Sequence, residues 1–165
     1  RAVESLCDTD CGIKWCNDVV LHGKKLCGIL TESSLLPDGS AAWLVVGIGV
    51  NVGQASFPPD IADMATSLAL QELDVSPDAL ADAILAQLTA MRTVLTGPVE
   101  WLAEYRRRCV NLGRPVRVLR GNTVRQATAL AIDEQFGLTV QYENGETETV
   151  RSGEVSVRGL YGYIE

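Results

Sequence analysis

Asn17, Asp18, Lys24 and Lys25 are gathered, with a tryptophan, a tight polar turn and a glycine, in one short segment, Lys14–Glu32, which reads KWCNDVVLHGKKLCGILTE. A hairpin built only for packing has no need of so much charge and amide beside apolar strand residues. The set suits a wall that handles negatively charged groups. Lys24 and Lys25 are adjacent, so on a strand they point to opposite faces, one to solvent and one to the inner surface of the sheet. Lys25 leads into the apolar run Leu26-Cys27-Gly28-Ile29-Leu30. From there its ammonium can pin a carboxylate or a phosphate as a compact point charge. By residue type alone, an exposed or snorkelling lysine is the plainer reading. Asn17 and Asp18 are poor strand formers and good turn formers. They make either a turn or bulge, or an amide and a carboxylate aimed at a ligand. Asp18 and Lys25 flank one hairpin and come close across it if register permits.

A second candidate is GIGVNV, starting at Gly47. Its Gly47-x-Gly49 spacing is half of a dinucleotide fingerprint, but Val52 stands where the third glycine belongs and no helix clearly follows. What stays open is a glycine-bearing strand lining a pocket, with the Asn51 amide available to a base or phosphate. His22 is the single histidine and sits in a hairpin turn. No Ser–His–Asp or Cys–His set is visible, which disfavours that hydrolase chemistry. The five cysteines form no C-x-x-C pair and no zinc set, and are read as reduced, small, buried thiols.

The elements that must hold these residues are readable in outline. Residues 1–8 end a helix, and Ile13–Trp15 is a strand. Val19–Leu21 and Lys25–Thr31 are strands joined at His22-Gly23. Pro37–Ser40 is a turn. Trp43–Val52 is a long apolar strand expected to be covered on both faces. Residues 54–65 are irregular, and Thr66 starts a short helix. Ser76-Pro77-Asp78 is a helix start. Leu80, Ile84, Leu88, Met91 and Leu95 form one helical face. Gly97-Pro98 stops that helix, and Val99–Leu112 makes another. The segments Pro115–Leu119, Val124–Ile132, Leu138–Tyr142, Glu146–Val150 and Val155–Val157 alternate as short strands. Asn144-Gly145 gives a type I′ hairpin signal, and the whole suggests a small β-barrel-like domain. The boundary falls near residue 113.

Charge and hydropathy exclude several classes. The net charge is −7, whereas nucleic-acid binding wants clustered Lys and Arg. The one basic run, Arg106-Arg107-Arg108, closes a helix and is expected to be a solvated helix end favoured by the dipole. No apolar run approaches the ~20 residues of a membrane span, and no signal peptide is apparent, which points to the cytoplasm. The chain opens on Arg1 rather than Met, which leaves a native start upstream open.

Taken together, KWCNDVVLHGKKLCGILTE resembles the KWPND…GrKlaGIL segment of biotin protein ligases. GIGVNV resembles that family's GIGiNv strand, and Ser152–Gly159 (SGEVSVRG) resembles the GEvSlR element of its small SH3-like domain. The three occur in the family's order across essentially the whole chain. The resemblance implies an α+β fold: a mixed or antiparallel sheet packed with helices, of the class II synthetase-like biotin/lipoate ligase type and N-terminally incomplete. A small SH3-like β-barrel follows, with the division at 1–113 and 114–165.

The resemblance also implies activation of biotin with ATP and Mg2+ to biotinyl-5′-AMP, then transfer of biotin to a lysine of a biotin carboxyl carrier protein domain. Lys25 matches the family's essential lysine and Asp18 the residue that orients or deprotonates the attacking amine. Asn17 is implied to contact phosphate, Asn51 the adenylate, and Arg158 the nucleotide from the small domain. Gly28, Gly47 and Gly49 would let the ligand lie close to backbone. Cys16 departs from the family's usual proline, and Cys27 from a common alanine. The family's GRGRxGR-like phosphate loop lies upstream of the matched segment. Weak or no ligase activity is therefore expected of the chain as given, and a truncated, partner-binding, non-enzymatic module is the competing reading. A lipoate-type ligase is a third. A homodimer is left open, and neither nucleic acid nor a membrane is expected as a partner of this chain.

Overall fold

A computed structural model describes residues 1–92, 99–151 and 156–159, with side chains described for 1–91 and 101–151. Two antiparallel sheets carry the fold. The first has the order β1-β2-β3-β4, with β1 at Gly12–Lys14, β2 at Asp18–Leu21, β3 at Lys24–Leu35 and β4 at Ala41–Val50. The second has the order β8-β7-β6-β5-β9. Its strands are β5 Pro115–Arg120, β6 Thr123–Ile132, β7 Leu138–Tyr142, β8 Thr147–Val150 and β9 Ser156–Gly159. Helices α1 (Ala2–Leu6), α2 (Pro77–Arg92) and α3 (Val99–Arg108) complete the chain. The α+β class and the helix-packed antiparallel sheet agree with the sequence reading. No helix among the described residues is long and apolar enough to cross a membrane.

Local chemistry explains the turns. His22 and Gly23 both have positive φ (47° and 78°), which makes the β2–β3 loop a two-residue type I′ turn. The exposed His22 is held there by Gln71, whose Oε1 lies 2.5 Å from Nδ1. Asp38 Oδ1 accepts from the Ser40 amide (2.9 Å) and hydroxyl (2.6 Å), closing the β3–β4 turn. The Asn144-Gly145 expectation needs correction: only Gly145 has positive φ (82°). Tyr142 bonds Glu146 and Gly145 across Glu143-Asn144-Gly145. That is a three-residue loop with glycine in the left-handed position, not a type I′ turn. Ser76 caps α2 as expected, its Oγ accepting from Ala79 N at 3.1 Å. The stop at Gly97-Pro98 lies outside the described residues.

Two cores form. Cys11, Leu21, Leu26, Leu68 and Leu80 are buried together between the first sheet and its helices, with Ile84 packed against them. The second core joins Val116, Val118, Ala127, Ala129, Ile132, Leu138, Val140, Tyr142 and Val150 from its sheet to Leu102 of α3 and to Trp15, which follows β1. The Trp15 side chain thus links the first sheet to the second core, and the parallel bridge Ile13–Cys109 ties β1 to the end of α3.

Three expectations fail on packing, the last only in part. The GIGVNV strand is not covered on both faces: Trp43, Leu44, Val45 and Val46 of β4 are exposed, as are Leu30 and Leu35 of β3. Among the described residues β4 pairs only with β3, and an apolar run does not itself say what lies over it. Leu88 falls on the expected apolar face of α2 yet is exposed. Arg106–Arg108 is a solvated helix end only in part: Arg106 and Arg107 are exposed, but Arg108 is largely covered. Arg106 Nε donates to the Ile132 carbonyl (2.8 Å), and Arg108 donates to Glu4, Glu104 and the Cys11 carbonyl, binding α3 to α1. All five cysteines are free; Cys11, Cys27 and Cys109 are buried, and Cys7 and Cys16 are half-buried.

Candidate functional site

A single irregularity decides which lysine faces Asp18. β2 and β3 pair Asp18 with Gly28 and Val19 with Cys27, but Val20 with Lys25 and Leu21 with Lys24. Leu26 is the extra residue of a β-bulge. Because side chains alternate, a one-residue shift moves every later side chain to the other face. Without the bulge Lys25 would oppose Leu21 and point into the apolar core. With it, Lys25 opposes Val20 and shares a face with Asp18. Its Nζ lies 2.7 Å from Asp18 Oδ1.

The bulge is held from the side. Lys25 N donates to the Met64 carbonyl (2.8 Å), Thr66 N donates to the Lys25 carbonyl (2.9 Å), and Asn51 N donates to the Leu26 carbonyl (2.9 Å). The irregular segment before Thr66 therefore acts as a splint along β3. Its role was not visible in the sequence, because its hydrogen bonds come from backbone and any residue type supplies them.

A row of opposed residues crosses the sheet: Lys14 faces Asp18, Asp18 faces Gly28, and Gly28 faces Gly49. Lys14 Nζ lies 3.6 Å from Asp18 Oδ2, and both side chains are nearly covered. Burial pushes the Lys14 ammonium pKa down against the opposing pull of Asp18. The carboxylate is thus gripped from two sides, by a buried lysine and by a half-exposed one. Lys14 stood in the sequence motif without a role; its cross-strand pairing with Asp18 was the signal that could have found it.

Gly28 and Gly49 turn that row into a floor. A Cβ at Gly28 would sit 3.2 Å from Lys25 Cε and Nζ, and 3.6 Å from Asp18 Oδ1. Beside this floor lies an open groove of about 470 Å³, lined by Asn17, Asp18, Lys25, Gly28, Ile29, Leu30, Gly47, Ile48 and Gly49. The arrangement can neutralise an anion with Lys25, offer a carboxylate as proton acceptor, and let a flat ligand approach bare backbone.

Six of the sequence-predicted residues meet at this groove: Asn17, Asp18, Lys25, Gly28, Gly47 and Gly49. Asn17 does so with its amide engaged, since Nδ2 donates to the Ile29 carbonyl at 2.6 Å. Asn51 is not part of the lining. Its Nδ2 donates to the Thr66 carbonyl at 3.0 Å, which ties β4 to the splint. Arg158 lies on β9 opposite Arg117 of β5, and its side chain falls outside the described residues.

The turn that presents Asn17 and Asp18 is fixed from a distance. Trp15 N donates to Asn111 Oδ1 (2.7 Å) and Trp15 Nε1 to the Phe136 carbonyl (2.8 Å). Tyr105 Oη donates to the Cys16 carbonyl at 2.9 Å. These partners are some ninety to a hundred and twenty positions away in the chain, beyond the reach of any local pattern.

The described residues do not fit a resident metal. Among the described residues no cluster of His, Cys, Asp or Glu could hold one. The groove offers one carboxylate, and its oxygens already face two ammonium groups, whereas Mg2+ asks for oxygen ligands without competing cations.

This pairing of a helix-packed four-stranded antiparallel sheet with a second, five-stranded antiparallel sheet is an α+β fold already known from solved ligases. The apo biotin protein ligase of Aquifex aeolicus matches with a TM-score of 0.81 and 27% identity, over 96% of this chain and 69% of that one. The same ligase in complex with biotin and ATP gives 0.78 and 26%, over 96% and 66%. The Biotin/lipoate A/B protein ligase family model matches residues 3–51, and the Biotin protein ligase C terminal domain model matches residues 112–158. The biotin–[acetyl-CoA-carboxylase] ligase of Mycobacterium tuberculosis is 35% identical over 155 residues, covering 87% of this chain and 52% of the relative. Its counterpart from Paracoccus denitrificans is 31% identical over 158 residues, covering 89% and 63%. The chain belongs to the biotin protein ligase family. It spans about half the length of the Mycobacterium relative.

Proposed function

We propose that this chain is part of a biotin protein ligase. The enzyme forms biotinyl-5′-AMP and pyrophosphate from biotin and ATP, then passes biotin to a lysine of a biotin carboxyl carrier protein domain. The observation that carries the reading is the bulge that sets Lys25 beside Asp18 over a glycine floor. The family resemblance supplies the substrates. The division of labour follows residues 1–113 for chemistry and 114–165 for a small appended domain.

In the first step a biotin carboxylate oxygen attacks the α-phosphorus of ATP, and the bond to pyrophosphate breaks. Two anions must meet, and Lys25 lowers that repulsion while stabilising the charge that builds on the phosphoryl oxygens. Magnesium enters on the ATP phosphates as part of the substrate; no step here depends on a protein-held ion. In the second step a carrier lysine attacks the acyl carbon of the anhydride and AMP leaves. A free lysine has a pKa of about 10.4, so the amine must lose a proton to react. Asp18 accepts or orients that proton. The Asn17 and Arg158 side chains are assigned to phosphate and nucleotide, and Asn51 to the adenylate side of the site. The Asn51 contact would require its amide to leave the Thr66 carbonyl.

The test uses the full-length protein that contains this chain, with ATP and either biotin or lipoate. Pyrophosphate release with biotin, and biotin-labelled carrier domain, is the expected result. Activity with lipoate alone would move the protein to the lipoate branch. Inactivity with both would leave a non-enzymatic module.

A further inference from the structure

The groove's acidic turn is braced from outside its own sheet, and one brace is a single hydroxyl. Tyr105 stands on α3, half-buried, with its ring edge-on to Phe136 (centroids 5.4 Å apart, planes at 89°). Its Oη donates at 2.9 Å to the carbonyl of Cys16, the residue directly before Asn17-Asp18. The neighbouring bonds fix the rest of the turn. Trp15 is held at both its nitrogens by Asn111 and Phe136. Asn17 is held at its carbonyl by Ile29 N (3.0 Å) and at its amide by the Ile29 carbonyl. Between those clamps the Cys16 carbonyl is held by Tyr105. That carbonyl belongs to the peptide unit whose rotation would swing Asn17 and, with it, the start of β2 at Asp18.

We propose that Tyr105 is a positioning residue for the transfer step, its hydroxyl locking the Cys16–Asn17 peptide so that the Asp18 carboxylate is aimed at the attacking amine. This rests on the reading of Asp18 given above. Tyr105 is not among the residues that line the groove and acts through the turn. Burial pushes the phenol's pKa upward, so it stays a neutral donor through any working pH. The logic is orientational: catalytic groups must be held near the productive geometry, and a misplacement of about 1 Å can cost up to about a hundredfold in rate.

The experiment is a double-mutant cycle in the full-length protein. Tyr105→Phe keeps the ring on Phe136 and removes only the hydroxyl; Asp18→Asn keeps the turn and removes the base. Adenylation is read as pyrophosphate release and transfer as single-turnover biotinylation of a carrier domain from preformed biotinyl-5′-AMP. The expected result is a loss of about tenfold in transfer for Tyr105→Phe, with a smaller loss in adenylation through Asn17 and the KM for biotin nearly unchanged. The transfer loss should vanish in the Asp18→Asn background, because a misaimed base costs nothing once the base is gone. Additive losses in the double variant would show a merely structural tyrosine and overturn the proposal. So would normal transfer by Tyr105→Phe while Asp18→Asn is impaired. If Asp18→Asn itself transfers normally, the reading of Asp18 falls, and the role of Tyr105 falls with it.

Discussion

Both sheets bury an apolar core, but among the described residues only the first buries a pair of charged residues with it. In the second sheet β7 alternates cleanly, with Leu138, Val140 and Tyr142 inside and Thr139 and Gln141 turned outward. In the first sheet the buried row contains Lys14 and Asp18, while Trp43, Leu44, Val45 and Val46 lie exposed. The second sheet closes a core of its own. The first holds a charged cluster at a desolvation cost that aliphatic residues would avoid. It relies on the β6–β7 loop of the second sheet to anchor Trp15 and on α3 to anchor Cys16. A region arranged against its own packing interest is where chemistry belongs.

Substitutions can break that contrast. The largest effect is expected from Lys25→Ala, which removes the ammonium over the groove. Adenylation should fall by about a hundredfold to a thousandfold, as when one charge-stabilising group is lost elsewhere. Thermal stability should barely change, because the side chain is partly exposed and Lys14 still faces Asp18. In the second sheet the order reverses. Leu138 is fully buried, so Leu138→Ala should cost about 2–5 kcal/mol of stability. Val46→Ser on exposed β4 should stay within about 0.5 kcal/mol. Denaturant titration compares the two, and a large loss at Val46 would show that β4 is covered in the working protein.

Gly28→Ala sharpens the comparison inside the site. The new methyl would sit 3.2 Å from Lys25 Nζ, tight enough that the lysine must give by a few tenths of an ångström. Adenylation should drop by about tenfold with the fold retained. The smallest effect concerns acid stability. The hydrogen bond from Arg108 pulls the Glu4 carboxyl down from 4.5 to about 2. Its folded pKa lies below its unfolded one, so its contribution is complete above about 4.5 and is lost as the pH falls toward 2. Thermal midpoints of Glu4→Gln and the parent should therefore converge in that window and differ most near neutrality.

Much of this was written locally in the sequence. The His22-Gly23 turn, the Ser76 cap and the bounds of β7 follow from residue type and period. So does the statement that Lys24 and Lys25 face opposite ways. Which of them faces Asp18 does not, because that depends on the bulge at Leu26, and Leu26 looks like any other strand leucine. The bracing of Trp15 by Phe136 and of Cys16 by Tyr105 was likewise hidden, since the partners are far apart in sequence. The exposure of β4 was misread because apolar content reports what a strand could bury, not what is there to bury it.

The account stands most directly on Lys25 and Asp18 serving separate steps. Pyrophosphate release and single-turnover carrier biotinylation, measured side by side for Asp18→Asn in the full-length protein, test it. Transfer should fall well below adenylation. Equal losses in the two steps would contradict it.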